Sequence, residues 1–471
     1  MNNINWHKEA EKRREDYLQD TVKLLQVQSV LDEENNSADA PLGEGIQEAL
    51  EYMLNLGEKD GFAVKNIDNL AGHIEMGEGD ELVGILCHLD VVPAGDGWSS
   101  DPFAADIRDG KIFARGAIDD KGPTMAAYYA MKIVKELGVP LHKRVRMILG
   151  TDEETDWRCV DRYFETEEMP TLGFAPDADF PIIYAEKGIW DLKMKQNPNE
   201  DDENSGEYQV LEFTSGRRVN MVPDFAKARV KTTSQISELQ KSFNLFLQDH
   251  SLQGESSVEN NEIILQLKGK SAHGMEPDNG INAGLFLSHF LSGLELSGQA
   301  KEYFQFIAEY IVGDSRGRKL NLAFSDSITG DLTMNAGIFS YSKQDGGSIG
   351  FTVRYPVTFE WEKGRMQLDT LLREKKFSLE TVSNSAPHHV EKDSFLIQTL
   401  QKVYEELTGE KAELLSIGGG TYARSLEAGV AFGPLFPGSE DNAHQKDEFV
   451  VIDDIIKATA IYAQAIYQLA K

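Results

Sequence analysis

Apolar residues follow two periods along this chain. Within residues 45–57, Ile46, Leu50, Met53, Leu54 and Gly57 recur at spacings of three and four, which predicts a helix. Residues 121–138 repeat the pattern with Met125, Tyr129, Ile133 and Leu137; Pro123 suits a first turn and Gly138 a C-terminal stop. Around them lie short, nearly unbroken apolar runs at 82–87, 144–150 and 171–175, which read as buried strands. This alternation, sustained to about residue 187, predicts an α/β layer structure.

The pattern changes after Gly188. Residues 197–207, "NPNEDDENSGE", read as an exposed acidic loop. Strand-like pieces follow at 208–213, 262–269 and 348–356, interleaved with helical pieces at 236–250 and 281–294. The end of the chain returns to the first style, with amphipathic helices at 393–409 and 453–470 and with Asp393 and Asp453 as their N-caps. The expected organisation is one α/β domain built from residues 1–187 and 386–471, interrupted by an α+β domain over 188–385.

Composition narrows the function. With 41% hydrophobic and 27% charged residues in 471, the chain is globular rather than disordered. A formal net charge of −31 argues against a nucleic acid or an anionic membrane as partner. Cys87 and Cys159 are the two cysteines and form no CxxC pattern, which argues against a disulfide framework and a thiolate zinc site. The charged stretch "MNNINWHKEAEKRREDYLQD" lacks the apolar core of a signal peptide, and no apolar run reaches the roughly 18 residues of a membrane span. A reduced, cytoplasmic protein is expected.

Candidate chemistry lies where strand-like runs end. The run at 82–87 stops on His88-Leu89-Asp90; "GKIFARGAI" is followed by Asp119 and Asp120; "RVRMILGT" by Asp152, Glu153 and Glu154; "LGFAP" by Asp177; and "DNAHQKDEF" offers His444. Taken singly, each cluster reads better as a cap or a turn than as a site. Ligands of open α/β sheets bind beyond the carboxyl ends of strands, and a parallel sheet would bring these loops to one edge. So many carboxylates in one place repel unless cations neutralise them. Two imidazoles with several carboxylates suit zinc, manganese or cobalt better than calcium or magnesium. Two metals about 3.5–4 Å apart, sharing one carboxylate, would accommodate the set.

The segments "CHLDVVPAGDGW", "GAIDDKGP", "TDEET", "APDADFP", "GKSAHGMEP", "GGGTYARS" and "NAHQKDEF" resemble, in order and over nearly the whole chain, the motif series of the co-catalytic zinc metallopeptidases. That family includes carboxypeptidase G, aminoacylase and succinyl-diaminopimelate desuccinylase, and the likeness is greatest to its dipeptidase V branch. The resemblance implies a mixed-sheet α/β metallopeptidase catalytic domain interrupted by an α+β lid domain. It implies two divalent metal ions, zinc first and manganese or cobalt as alternatives: His88 and Asp177 on one, Glu154 and His444 on the other, Asp119 bridging. Asp90 would accept a hydrogen bond from the His88 ring and fix its tautomer. Glu153 would be the general base that activates a metal-bridging water. His273 would stabilise the oxyanion, and Asn220 and Arg354 would contact the substrate, Arg354 binding its C-terminal carboxylate. Gly418, Gly419 and Gly420 would bring backbone N–H groups near that carboxylate.

The implied reaction is hydrolysis of short peptides with a free amino terminus. An N-acyl-amino-acid deacylase or carboxypeptidase with the same dinuclear centre is the alternative, and a peptide- or metal-binding protein without catalysis is a third reading. Asp177, where relatives can carry Glu, goes with the dipeptidase branch. Gln445 and Lys446 depart from the small apolar residues common in relatives, and Lys446 adds a positive charge near the site. Shorter-lid relatives dimerise and borrow the oxyanion histidine; an insertion over 188–385 could replace that partner, so a monomer is expected. His7, His73, His142, His250, His289, His388 and His389 are read as structural.

Overall fold

The computed structural model describes residues 4–197 and 206–471. The chain forms two compact units. One takes the chain up to Ala185 with His389–Leu415 and Thr421–Lys471; the other takes Glu186–His388 with Ser416–Gly420. Most of the acidic loop read at 197–207 lies outside the described residues.

The first unit is built on a mixed sheet. Its strand order runs Ala63–Ile67, Ala71–Met76, Arg144–Gly150, Leu82–His88, Leu172–Ala175, Gly429–Ala431 and Ile182–Glu186. Arg144–Gly150, Leu82–His88, Leu172–Ala175 and Gly429–Ala431 are parallel neighbours. Ala71–Met76 joins antiparallel. Leu82–His88 is buried along its whole length, as expected of a central strand covered on both faces.

The helix Lys121–Leu137 carries Pro123 in its first turn and ends on Gly138, which takes the left-handed conformation at φ +60°. It packs against the C-terminal helix Ile452–Ala470, itself buried along most of its length. Neither C-terminal aspartate caps as expected. Ser394 caps Phe395–Thr408, its Oγ accepting from Ile397 N at 3.2 Å. Ile452–Ala470 has no side-chain cap: Asp453 lies inside the first turn, where a carboxylate favours the helix dipole, and pairs with Arg14 at 2.8 Å. Both assignments failed because any polar residue near the boundary satisfies the sequence pattern, whereas capping needs one particular backbone conformation.

The second unit is an antiparallel sheet in the order Gln253–Glu259, Glu262–Lys268, Phe225–Thr232, Tyr208–Ser215, Thr333–Ser342, Gly346–Tyr355, Gly188–Gln196 and Phe377–Ser385. Ile236–Asp249, Ala283–Ser292, Gly298–Tyr310 and Trp361–Glu374 supply its helices. Trp190, Phe213, Phe243, Leu287, Tyr303 and Phe351 share one core there. Among the described residues, no helix is long and apolar enough to cross a membrane.

One close approach ties the first unit's core to its functional edge. Gly150 ends its strand against the ring and hydroxyl of Tyr422, and a Cβ there would overlap both. Tyr422 is fully buried, so it has little room to retreat. We expect Gly150→Ala to destabilise the protein by about 1–3 kcal/mol, the usual cost of overpacking. A urea midpoint equal to that of the native chain would contradict this.

Candidate metal centre

The parallel strands deliver their ends to one edge of the first unit. His88 is the last residue of Leu82–His88, Glu153 and Glu154 lie just beyond Gly150, and Asp177 lies just beyond Ala175. Asp119 sits in the turn that starts the helix Lys121–Leu137. His444 sits before the strand Phe449–Val451, with φ at +62°.

These residues converge although the chain separates them widely. His88 Nε2 is 3.0 Å from Asp119 Oδ1 and 3.7 Å from Asp177 Oδ2. His444 Nε2 is 2.9 Å from Asp119 Oδ2 and 2.9 Å from Glu154 Oε1. Asp119 thus faces one imidazole with each carboxylate oxygen. Asp90 has a broader role than its expected one. The His88 Nδ1–H donates to the Asp90 backbone carbonyl at 3.0 Å, with the Asp90 carboxylate at 3.4 Å. That carboxylate accepts the backbone N–H of Glu153 at 3.1 Å and of Glu154 at 3.0 Å. One residue therefore orients the His88 ring and anchors the acidic turn.

The electrostatics are those of crowded acids. Burial, reinforced by the Asp119 and Asp120 charges, pushes Asp177 well above the carboxylate range. Burial pushes Glu153 up to about 8, with His88 opposing and Glu154, Asp119 and Asp90 adding to the rise. Burial also raises Glu154. Asp119 goes the other way: burial alone would raise it, but hydrogen bonds from His444 and His88 hold it below the usual range. Its hydrogen bonds to Asp119 and Glu154 raise His444 to about 10. The imidazoles of His88 and His444 stand against these acids as counter-charges.

This donor set fits divalent metal. His88, Asp119 and Asp177 each offer a ligand atom, all lying within 4.8 Å of one another, and so do Asp119, Glu154 and His444. The two groups share Asp119. His88, Glu153 and Glu154 form a third such group. Nitrogen and oxygen donors without thiolate suit zinc and its first-row neighbours.

The remaining candidates belong to the second unit and neighbour one another there. His273 forms a β-bridge with Met221, and Gly274 N donates to the Asn220 carbonyl at 2.7 Å. Met275 N donates to His273 Nδ1 at 3.1 Å, which places the ring proton on Nε2. Desolvation, then the Arg354 charge, lowers the His273 pKa, so the ring is neutral with one N–H to donate. Arg354 is buried in the strand Gly346–Tyr355, and its Nη1 reaches the Gly418 carbonyl at 3.4 Å.

Sequence reasoning gave no individual role to several residues that shape this edge, Asp152 among them, which it named only as part of an acidic cluster. Tyr422 stands edge-on to the His88 ring with centroids 6.0 Å apart, and edge-on to Trp157 at 5.4 Å. Asp152, almost fully buried, binds Arg158 Nε at 2.7 Å and Nη2 at 2.9 Å, folding the turn that carries Glu153. Arg115 and Glu448 form a buried ion pair beside Asp119. The available signal was a charged residue inside or beside an apolar run. Among the histidines read as structural, His73 is buried with Nδ1 at 2.8 Å from the Tyr163 hydroxyl, and His7 Nε2 is 3.0 Å from the Leu407 carbonyl.

Comparison with known proteins identifies the family. Residues 84–468 match the model of peptidase family M20/M25/M40. A protein of Bacillus subtilis (strain 168), "Putative dipeptidase YtjP", is 53% identical over 470 residues, covering 99% of this chain and 100% of its own. "Putative dipeptidase" of Staphylococcus epidermidis is 47% identical over 464 residues, covering 98% of this chain and 99% of its own. In fold, the chain is similar to aminoacylhistidine dipeptidase from Vibrio alginolyticus, with a TM-score of 0.60, 13% identity and coverage of 97% and 96%. Aminopeptidase PepT from Bacillus cereus gives a TM-score of 0.57 at 16% identity, with coverage of 97% and 99%. The chain therefore belongs to peptidase family M20/M25/M40 and is a peptide-bond hydrolase.

Proposed function

We propose that this enzyme is a metal-dependent dipeptidase acting on short peptides with a free amino terminus, as a cytoplasmic monomer. The observation that carries the reading is Asp119, each of whose oxygens faces the imidazole of a different candidate ligand group. His88 and Asp177 would hold one divalent cation, Glu154 and His444 the other, and Asp119 both, with zinc the first choice. When bound, such a pair polarises the scissile carbonyl and makes water a stronger acid. The dipeptidase names of full-length relatives support the substrate class.

Within this reading, Glu153 moves the proton. Its carboxylate removes one from the attacking water, whose oxygen bonds to the carbonyl carbon, and passes it to the leaving amine nitrogen. The Asp90 carboxylate holds the Glu153 backbone and so sets where that side chain starts. His273 Nε2–H is the donor toward the developing oxyanion. The Arg354 guanidinium offers a fork for the substrate's C-terminal carboxylate, and Asn220 lies beside His273 to contact the same substrate.

Three outcomes are expected. His88→Ala should abolish both turnover and zinc binding, checked by assay and metal analysis; full retention of both would refute the ligand assignment. Glu153→Ala should bind zinc as the native enzyme does while turnover falls about 10²–10⁴-fold. Undiminished turnover there would remove Glu153 from its role. On a substrate panel, free dipeptides should be cleaved and N-acetylated amino acids left intact; the reverse preference would favour the deacylase reading.

A further inference from the structure

We propose that Glu448, backed by Arg115, is the positioning residue of this centre: its buried carboxylate holds the turn that presents Asp119, and so aims both Asp119 oxygens. The inference rests on reading Asp119 as the shared ligand.

Glu448 is fully buried and takes three donors. Its Oε1 accepts the backbone N–H of Ile118 at 3.0 Å and of Asp119 at 3.3 Å. Its Oε2 pairs with Arg115 Nη1, and Arg115 is itself only 1% exposed. A second nitrogen of that guanidinium, Nη2, donates to the Ala94 carbonyl at 3.3 Å. Glu448 also follows His444 on the same loop, and its backbone carbonyl accepts from Ala114 N at 3.1 Å. The Glu448–Arg115 pair therefore ties together the stretch after Asp90, the turn bearing Asp119 and the loop bearing His444.

Stability does not explain this arrangement. Replacing a buried ion pair by apolar residues of similar volume is often neutral or favourable. What an apolar pair cannot supply is an acceptor for the Ile118 and Asp119 N–H groups. A bridging carboxylate must present two oxygens in two directions, so a small rotation of its backbone would misplace both at once. Groups that hold metal ligands in this indirect way change metal affinity when removed.

Two double variants separate the acceptor from the charge pair. Glu448→Gln with Arg115→Met keeps an oxygen facing the two N–H groups and leaves no buried charge. Glu448→Leu with Arg115→Met removes the acceptor as well. Zinc alone is titrated calorimetrically into the metal-free native chain and both variants, with thermal unfolding followed in parallel. The Gln/Met variant should bind zinc as the native chain does, and the Leu/Met variant should lose about 10–100-fold in affinity. Native-like binding by Leu/Met, or an equal loss in both variants, would overturn the proposal. Failure of the native chain to bind zinc would instead overturn the reading of Asp119 on which it rests. Amide exchange of the metal-free native chain gives a test that needs no variant. The Ile118 and Asp119 N–H groups should exchange slowly, and exchange at the rate of an open loop would overturn the inference.

Discussion

Repulsion among carboxylates is the constraint that the first unit has to meet. Asp119, Asp120, Glu153, Glu154 and Asp177 perturb one another across a single edge. Two like charges 4 Å apart cost about 4 kcal/mol at an effective dielectric constant near 20, and five acids make several such pairs. The positive charge seen directly against them comes from two imidazoles, those of His88 and His444. Acids gathered so closely suit a site for cations, and Asp119 is shared by two of the candidate ligand groups.

Meeting that constraint takes a rigid frame, which the parallel strands supply. Leu82–His88 lies between Arg144–Gly150 and Leu172–Ala175, so three acid-bearing loops leave the sheet side by side. Hydrogen bonds then fix the loops to one another rather than to solvent. Asp90 receives the N–H groups of the Glu153 turn, and Ser29 links back to the same stretch, its hydroxyl donating to the Leu89 carbonyl and its own carbonyl accepting from Val91 N. Lys121 Nζ reaches the Val27 carbonyl at 2.6 Å, tying the helix behind Asp119 to that segment. The edge is held from several sides before any ligand arrives.

The parts of this plan that were legible in the sequence are the local ones. The helical period at 121–138 gives Lys121–Leu137, and the apolar run 144–150 gives a strand with those limits, because burial writes itself into neighbouring residues. Resemblance of motifs singled out the candidate ligands, and the apolar runs showed where strands would end on them. Contacts between distant residues left no such trace. Arg115 and Glu448 are 333 positions apart, so neither carries a local sign of the other. The tautomer of His273 depends on the Met275 N–H, a detail of the turn that side-chain identities do not encode. Asp90 shows the same limit: His-x-Asp spacing suggested one carboxylate–imidazole bond, while the structure divides the work between its carbonyl and its carboxylate.

That division also explains how two adjacent acids can do different things. Glu153 and Glu154 share a turn, and one Asp90 carboxylate takes both of their backbone N–H groups, one on each oxygen. Their backbones are therefore fixed alike, and the difference must come from what each side chain meets. Glu154 reaches His444 at 2.9 Å, a partner that favours its ionised form and offsets part of the rise caused by burial. Burial holds Glu153 near 8, with the His88 charge opposing and the charges of Glu154, Asp119 and Asp90 adding to the rise. A carboxylate ligand must stay ionised, whereas a proton carrier must accept a proton and release it near neutral pH. The turn thus gives two acids, one residue apart, the different surroundings that a binding acid and a proton-transferring acid would need.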